Sequence, residues 1–148
     1  MAIPLDDFIT GPGVTNLGPG EILAEIEIDR PPAYSGAGYL KLGARKALEI
    51  SLVNVASFIT LDAPGGVITS ARIIMGAVGP IPLRAPSAEK ILIGEKPSDH
   101  LFEKAGQEAA GDSRPIDDFR GSAEYRRDMV EVLTRRTLAA ALAEVGRQ

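Results

Sequence analysis

The sequence predicts an α+β domain, an antiparallel sheet of three or more strands packed against about three helices. Two observations predict it. Segments with apolar residues at every second position lie before residue 80, whereas helical spacing takes over from Ser87 onward; strands first and helices last is the α+β order rather than βαβ alternation. The balance of 45% apolar and 24% charged residues in 148 is that of one ordinary domain core. Aromatics make up only 5% and Trp is absent, so Leu, Ile, Val and Ala must fill the core.

Residues 10–20 carry repeated Pro/Gly turns, Gly11-Pro12-Gly13 and Gly18-Pro19-Gly20, and read as a connector. Only nine residues precede it, which raises the expectation of a portion of the fold lying N-terminal to this sequence. Residues 21–28 alternate, with Ile22, Ala24, Ile26 and Ile28 on one face and Glu21, Glu25 and Glu27 on the other. A half-buried strand is expected there. Leu23 stands among the acids, either as a stray surface residue or as a contact to a ligand or second domain.

Pro31-Pro32 ends that segment, and Ser35-Gly36-Ala37-Gly38 reads as a flexible stretch before a short extended piece, Tyr39-Leu40-Lys41-Leu42. Lys41, Arg45 and Lys46 then gather three cations within six residues. They form a solvated rim or a place for an anionic ligand. Residues 52–61 and 67–78 are β-rich runs joined by Asp62-Ala63-Pro64-Gly65-Gly66, which predicts a long antiparallel hairpin. Val53, Val55, Ile59 and Leu61 should line the core face of its first strand, and Val67, Ala71, Ile73 and Met75 that of its second.

Gly79-Pro80-Ile81-Pro82 stops the sheet. A short helix is expected from a Ser87 cap to Gly94, a second from a Ser98 cap over residues 99–110, and the longest from Gly121 or Ser122 to about Val145. On this last helix Tyr125, Met129, Val132, Leu133 and Ala140 are expected to face the sheet. Leu138, Leu142 and Val145 form a second stripe, for a neighbouring helix or for a partner subunit.

Composition excludes several kinds of chemistry. A net charge of −4 argues against a nucleic-acid partner, and the lack of cysteine removes disulfides, thiolate metal sites and cysteine nucleophiles. The start of the sequence has no basic leader and no apolar run reaches eighteen residues, so the expected location is cytoplasmic, without membrane insertion. The single His100 has no metal-ligand spacing or triad partner, and neither G-x-G-x-x-G nor G-K-[ST] is present. No catalytic set and no metal site is expected; Asp6-Asp7 and Asp117-Asp118 read as turn or cap residues.

The segment Gly76-Ala77-Val78-Gly79-Pro80-Ile81-Pro82-Leu83-Arg84-Ala85, with Glu89 and Gly94, and the segment Asp118-Phe119-Arg120-Gly121-Ser122-Ala123-Glu124-Tyr125-Arg126-Arg127 resemble the C-terminal domain of the FAD-binding (medium) subunit of molybdenum hydroxylases, the carbon monoxide dehydrogenase and xanthine dehydrogenase flavoprotein family. Gly11-Pro12-Gly13, Pro19-Gly20-Glu21-Ile22-Leu23 and residues 39–46 are similar to the same subunit, in collinear order. The resemblance implies that residues 1–30 end a FAD-binding lobe and that 31–148 are the flavoprotein C-terminal domain. It implies FAD shared with an N-terminal lobe outside this chain, with molybdopterin and 2Fe-2S clusters only on partner subunits.

The implied partners are a molybdopterin-binding large subunit, an iron–sulfur small subunit and the missing FAD lobe. Electrons would pass from the molybdenum site through iron–sulfur clusters to this flavin. Leu23 matches the aliphatic residue near the isoalloxazine ring, and Lys41 the cation at the flavin's edge; Glu49 stands where the family usually has Asp. The chain is expected to be a component of an oxidoreductase complex and not a competent catalyst by itself. The alternative is a non-catalytic interaction domain that has lost its flavin lobe. For Arg120, Tyr125 and Arg126, bracing a loop through Asp118 and docking a subunit both remain open.

Overall fold

Proline and glycine govern the start of the chain. After Pro4 comes a single turn, α1 (Leu5–Phe8), and then β1 (Ile9–Gly11) folds back on β2 (Val14–Thr15) through Pro12-Gly13. The computed structural model describes residues 2–45 and 48–145, and divides the chain into two units, Met1–Pro31 and Pro32–Gln148. In the first unit, residues 21–28 form no strand, contrary to the expectation from their alternation. Ile22, Ile26 and Ile28 are 83%, 73% and 86% exposed. Alternation creates a strand only when a neighbour completes its ladder, and among the described residues β1 and β2 pair only with each other.

The second unit carries the main sheet. β3 (Ser35–Leu42), β4 (Val53–Leu61), β5 (Ile68–Gly76) and β6 (Leu83–Arg84) lie in that order, each antiparallel to its neighbour. In β4 the alternation is fully expressed: Val53, Val55, Ile59 and Leu61 are buried, and the intervening Asn54, Ala56, Phe58 and Thr60 are half-buried on the other face. Ile68, Ala71, Ile73 and Met75 continue the core on β5. Val67, expected on that face, lies one residue before the strand and only half-buried. The hairpin turn is held by the Val67 N–H donating to the Asp62 carboxylate at 2.8 Å, with Gly65 at φ +71° where a side chain would be strained.

β3 is twice the length of the extended piece expected at residues 39–42. Its Gly36 and Gly38 are not flexible filler. A β-carbon on either would strike the backbone of the last helix, at the Ala141 and Thr137 carbonyls, so glycine is what lets this strand lie against that helix.

Two helices, α2 (Pro86–Leu92) and α4 (Ala123–Val145), pack on the core face of the sheet, and α3 (Asp99–Asp112) packs against both of them. The start of α2 differs from expectation, because Pro86 takes the first helical position and Ser87 lies inside. The Ser87 N–H and hydroxyl both donate to Asp112, each at 2.9 Å, tying α2 to the end of α3. Ser98 caps α3 through the Leu101 N–H, and Ser122 caps α4 through the Tyr125 N–H, as their types predict.

The buried face of α4 is rotated from the expected one. Arg126, Val130, Leu133, Thr134, Thr137, Leu138, Ala141 and Val145 are buried, whereas Tyr125 is 43% exposed and Ala140 is exposed. Two polar residues on this face, Arg126 and Thr137, have internal partners that hydrophobic spacing does not show; the Thr137 hydroxyl, for example, lies 2.7 Å from that of Ser57 on β4. Leu138 and Val145 of the second stripe are accordingly consumed inside the unit. The architecture is the expected α+β class.

Candidate functional site

The corner where β3 ends gathers the charged groups singled out in the sequence. Lys41 lies opposite Asn54 of β4, which lies opposite Gly76 of β5, so the three occupy one row on the face away from the helices. Tyr39, two residues earlier on the same face, is 61% exposed. The Lys41 ammonium donates to the Glu49 carbonyl oxygen at 2.8 Å. An ammonium has three donors, so this bond holds the group in place and leaves two N–H for another acceptor.

Beyond β3, Gly43 and Arg45 both meet the Glu49 side chain. Its carboxylate accepts the Arg45 backbone N–H at 2.7 Å, while the Arg45 guanidinium donates to the Leu48 carbonyl at 3.2 Å. Leu48 has φ +51° and is almost wholly exposed. A β-carbon on Gly43 would land on the Glu49 carboxylate. Lys46, the third cation of the group, lies outside the described residues. Glu49 and Gly43 were not singled out for this arrangement; the available signal was one carboxylate eight residues after Lys41, in a stretch otherwise rich in cations.

Leu23 lies in the first unit and is 55% exposed, whereas Lys41 belongs to the second. The two are therefore not joined within one unit.

Of the Arg120, Tyr125 and Arg126 group, the two arginines brace the turn before α4 through Asp118, whereas Tyr125 is 43% exposed. Arg126 is buried and donates to the Leu52 carbonyl at 3.1 Å, the Ala77 carbonyl at 3.0 Å and the Asp118 carboxylate at 2.6 Å. One guanidinium thus gathers the approach to β4, the turn after β5 and the turn before α4. Asp118 also accepts the Arg120 backbone N–H at 2.8 Å. That N–H above all, and then the Arg126 guanidinium, hold the Asp118 carboxyl below its usual range against the opposing effect of desolvation. Asp117 accepts the Ala123 N–H, the cap role its position suggested. His100 is exposed beside Glu103, and among the described residues no cluster of His, Asp and Glu could hold a metal ion. No helix among them is long and apolar enough to cross a membrane.

The family model described as CO dehydrogenase flavoprotein C-terminal domain matches residues 38–141, from β3 into α4. The chain belongs to this family. The chain is 38% identical to the nicotine 6-hydroxylase medium subunit of Paenarthrobacter nicotinovorans, a match covering 94% of this chain and 47% of that protein. It is 27% identical to the putative xanthine dehydrogenase FAD-binding subunit XdhB of Escherichia coli, over 97% of this chain and 49% of the relative. Among solved structures, the reconstituted CO dehydrogenase from Oligotropha carboxidovorans superimposes with a TM-score of 0.82 at 36% identity, over 93% of this chain and 47% of that one. The chain spans about half the length of the curated relatives it matches.

Proposed function

We propose that this chain forms one wall of the flavin site in the FAD-binding medium subunit of a molybdenum hydroxylase of the xanthine and CO dehydrogenase kind. The observation that carries the reading is the β3 corner. A family of flavoprotein domains is matched from this strand onward, and at its end stands a lysine whose ammonium is held by one carbonyl and keeps donors free. The residues present fit the edge of a flavin ring. They do not include a glycine-rich loop for its pyrophosphate, which belongs to a FAD lobe outside this chain.

Bound FAD would supply the acceptance and delivery of electrons. Lys41 would favour negative charge at the ring's edge, since a cation fixed in advance stabilises charge without reorganising when it develops. Leu23 would offer an apolar contact to the ring. In this reading residues 1–30 are the end of the FAD-binding lobe and 31–148 the C-terminal domain. The exposed row Ile22, Ile26 and Ile28 is then a strand face that the rest of that lobe covers. Molybdopterin and iron–sulfur clusters reside on partner large and small subunits.

The test is to supply the N-terminal flavin lobe in trans and follow flavin absorbance through gel filtration. A yellow complex containing both polypeptides is expected, with Lys41→Ala altering the flavin's redox equilibrium and Leu23→Ala its spectrum more than its melting temperature. A lobe that binds without retaining flavin leaves an interaction domain, and a flavin indifferent to Lys41 removes the assignment of that residue.

A further inference from the structure

We infer that Glu49 is the positioning residue for Lys41: its carboxylate, seated in the space that Gly43 leaves by having no side chain, anchors Glu49 beside Gly43 and Arg45 so that its own carbonyl oxygen grips the lysine ammonium. This deepens the flavin-edge reading of Lys41 and rests on it. Three independent contacts converge on one residue. The Arg45 N–H holds the carboxylate, Gly43 makes room for it, and the Glu49 carbonyl receives Lys41. A lysine on an exposed strand end otherwise samples many rotamers, so an acceptor from a returning segment biases it toward one of them.

The arrangement separates the charge of Glu49 from its effect. The carboxylate faces Gly43 and the Arg45 N–H, and the lysine is held through the neutral backbone carbonyl. Glu49 therefore orients the cation without presenting its own charge as the direct acceptor of the ammonium's bond. Gly43→Ala is the decisive substitution because it alters no charge. Gly43 is not among the residues with positive φ, and the three atoms nearest the added methyl all belong to the far end of the Glu49 side chain. It should expel the carboxylate and leave the sheet standing.

Two measurements are made on Gly43→Ala, Glu49→Ala, Glu49→Gln and Lys41→Ala. On the full chain with nitrogen-15 lysine, the exchange-protected ammonium signal of Lys41 is expected in the parent and in Glu49→Gln, which keeps an acceptor for the Arg45 N–H. It is expected to vanish in Gly43→Ala and Glu49→Ala. In the flavin-loaded assembly, Lys41→Ala should shift the flavin equilibrium toward the oxidised form by roughly tenfold, the order expected for removing one partly screened charge. Gly43→Ala should shift it the same way by less, at unchanged flavin content.

A protected Lys41 signal in Gly43→Ala overturns the inference. So does a flavin equilibrium that Lys41→Ala moves and Gly43→Ala does not. If Gly43→Ala lowers only the melting temperature, Glu49 is a loop brace and no more. If Lys41→Ala itself leaves the flavin unmoved, the flavin-edge reading fails, and the ammonium signal still decides separately whether Glu49 holds the lysine.

Discussion

Residues 21–28 and β4 are written in the same alternating code, yet they meet opposite fates. On β4 every second side chain is buried beneath helices, flanked by β3 and β5, whereas Ile22, Ile26 and Ile28 stand in the open. The difference teaches that alternation records the need for a partner, and that the partner must come from elsewhere in the fold. β4 finds two strands within its own unit. Residues 21–28 find none in theirs among the described residues.

The sharpest way to break the comparison is to take a partner from β4. Gly38→Val places a side chain against the Thr137 carbonyl of α4 and should cost about 3 kcal/mol or more, measured as loss of the cooperative urea transition. A variant as stable as the parent would mean that β3 does not depend on the close approach of α4.

Next in size is a matched pair. Ile59→Ala empties a fully buried position and should lose about 3 kcal/mol, while Ile26→Ala in the same chain should change stability by less than about 0.5 kcal/mol. Equal losses would show that residues 21–28 are packed in solution.

A smaller effect concerns the polar side of the same core. Arg126 lies on the face of α4 that buries apolar residues, and Asp118 is the one charged group among its acceptors. Because the folded-state carboxyl of Asp118 titrates below its unfolded value, its contribution is present above the unfolded pKa and is lost as pH falls through the folded one. Asp118→Asn should therefore melt below the parent at neutral pH, with the gap closing under acid conditions. A gap independent of pH would assign the loss to geometry rather than charge.

These elements also mark where sequence reasoning succeeds. The β4–β5 hairpin was legible because alternation and turn residues agree, and Ser98 and Ser122 were legible as caps because hydroxyls satisfy helix N–H groups locally. β3 was half legible, since its glycines read as flexibility until α4 is seen to require them. The face of α4 was misjudged because Arg126, Thr134 and Thr137 are buried polar residues that no apolar periodicity reports. In the site, resemblance singled out Lys41. The part played by Glu49 was hidden, because it depends on the chain returning across Gly43.

In the reading proposed above, residues 21–28 pair with strands of a flavin lobe, and hydrogen exchange before and after adding that lobe is the measurement that decides it. Fast exchange is expected across residues 22–28 in the chain alone, and in the yellow complex slow exchange at the amides that enter the lobe's sheet. Flavin held by the complex with those amides still exchanging freely would contradict it.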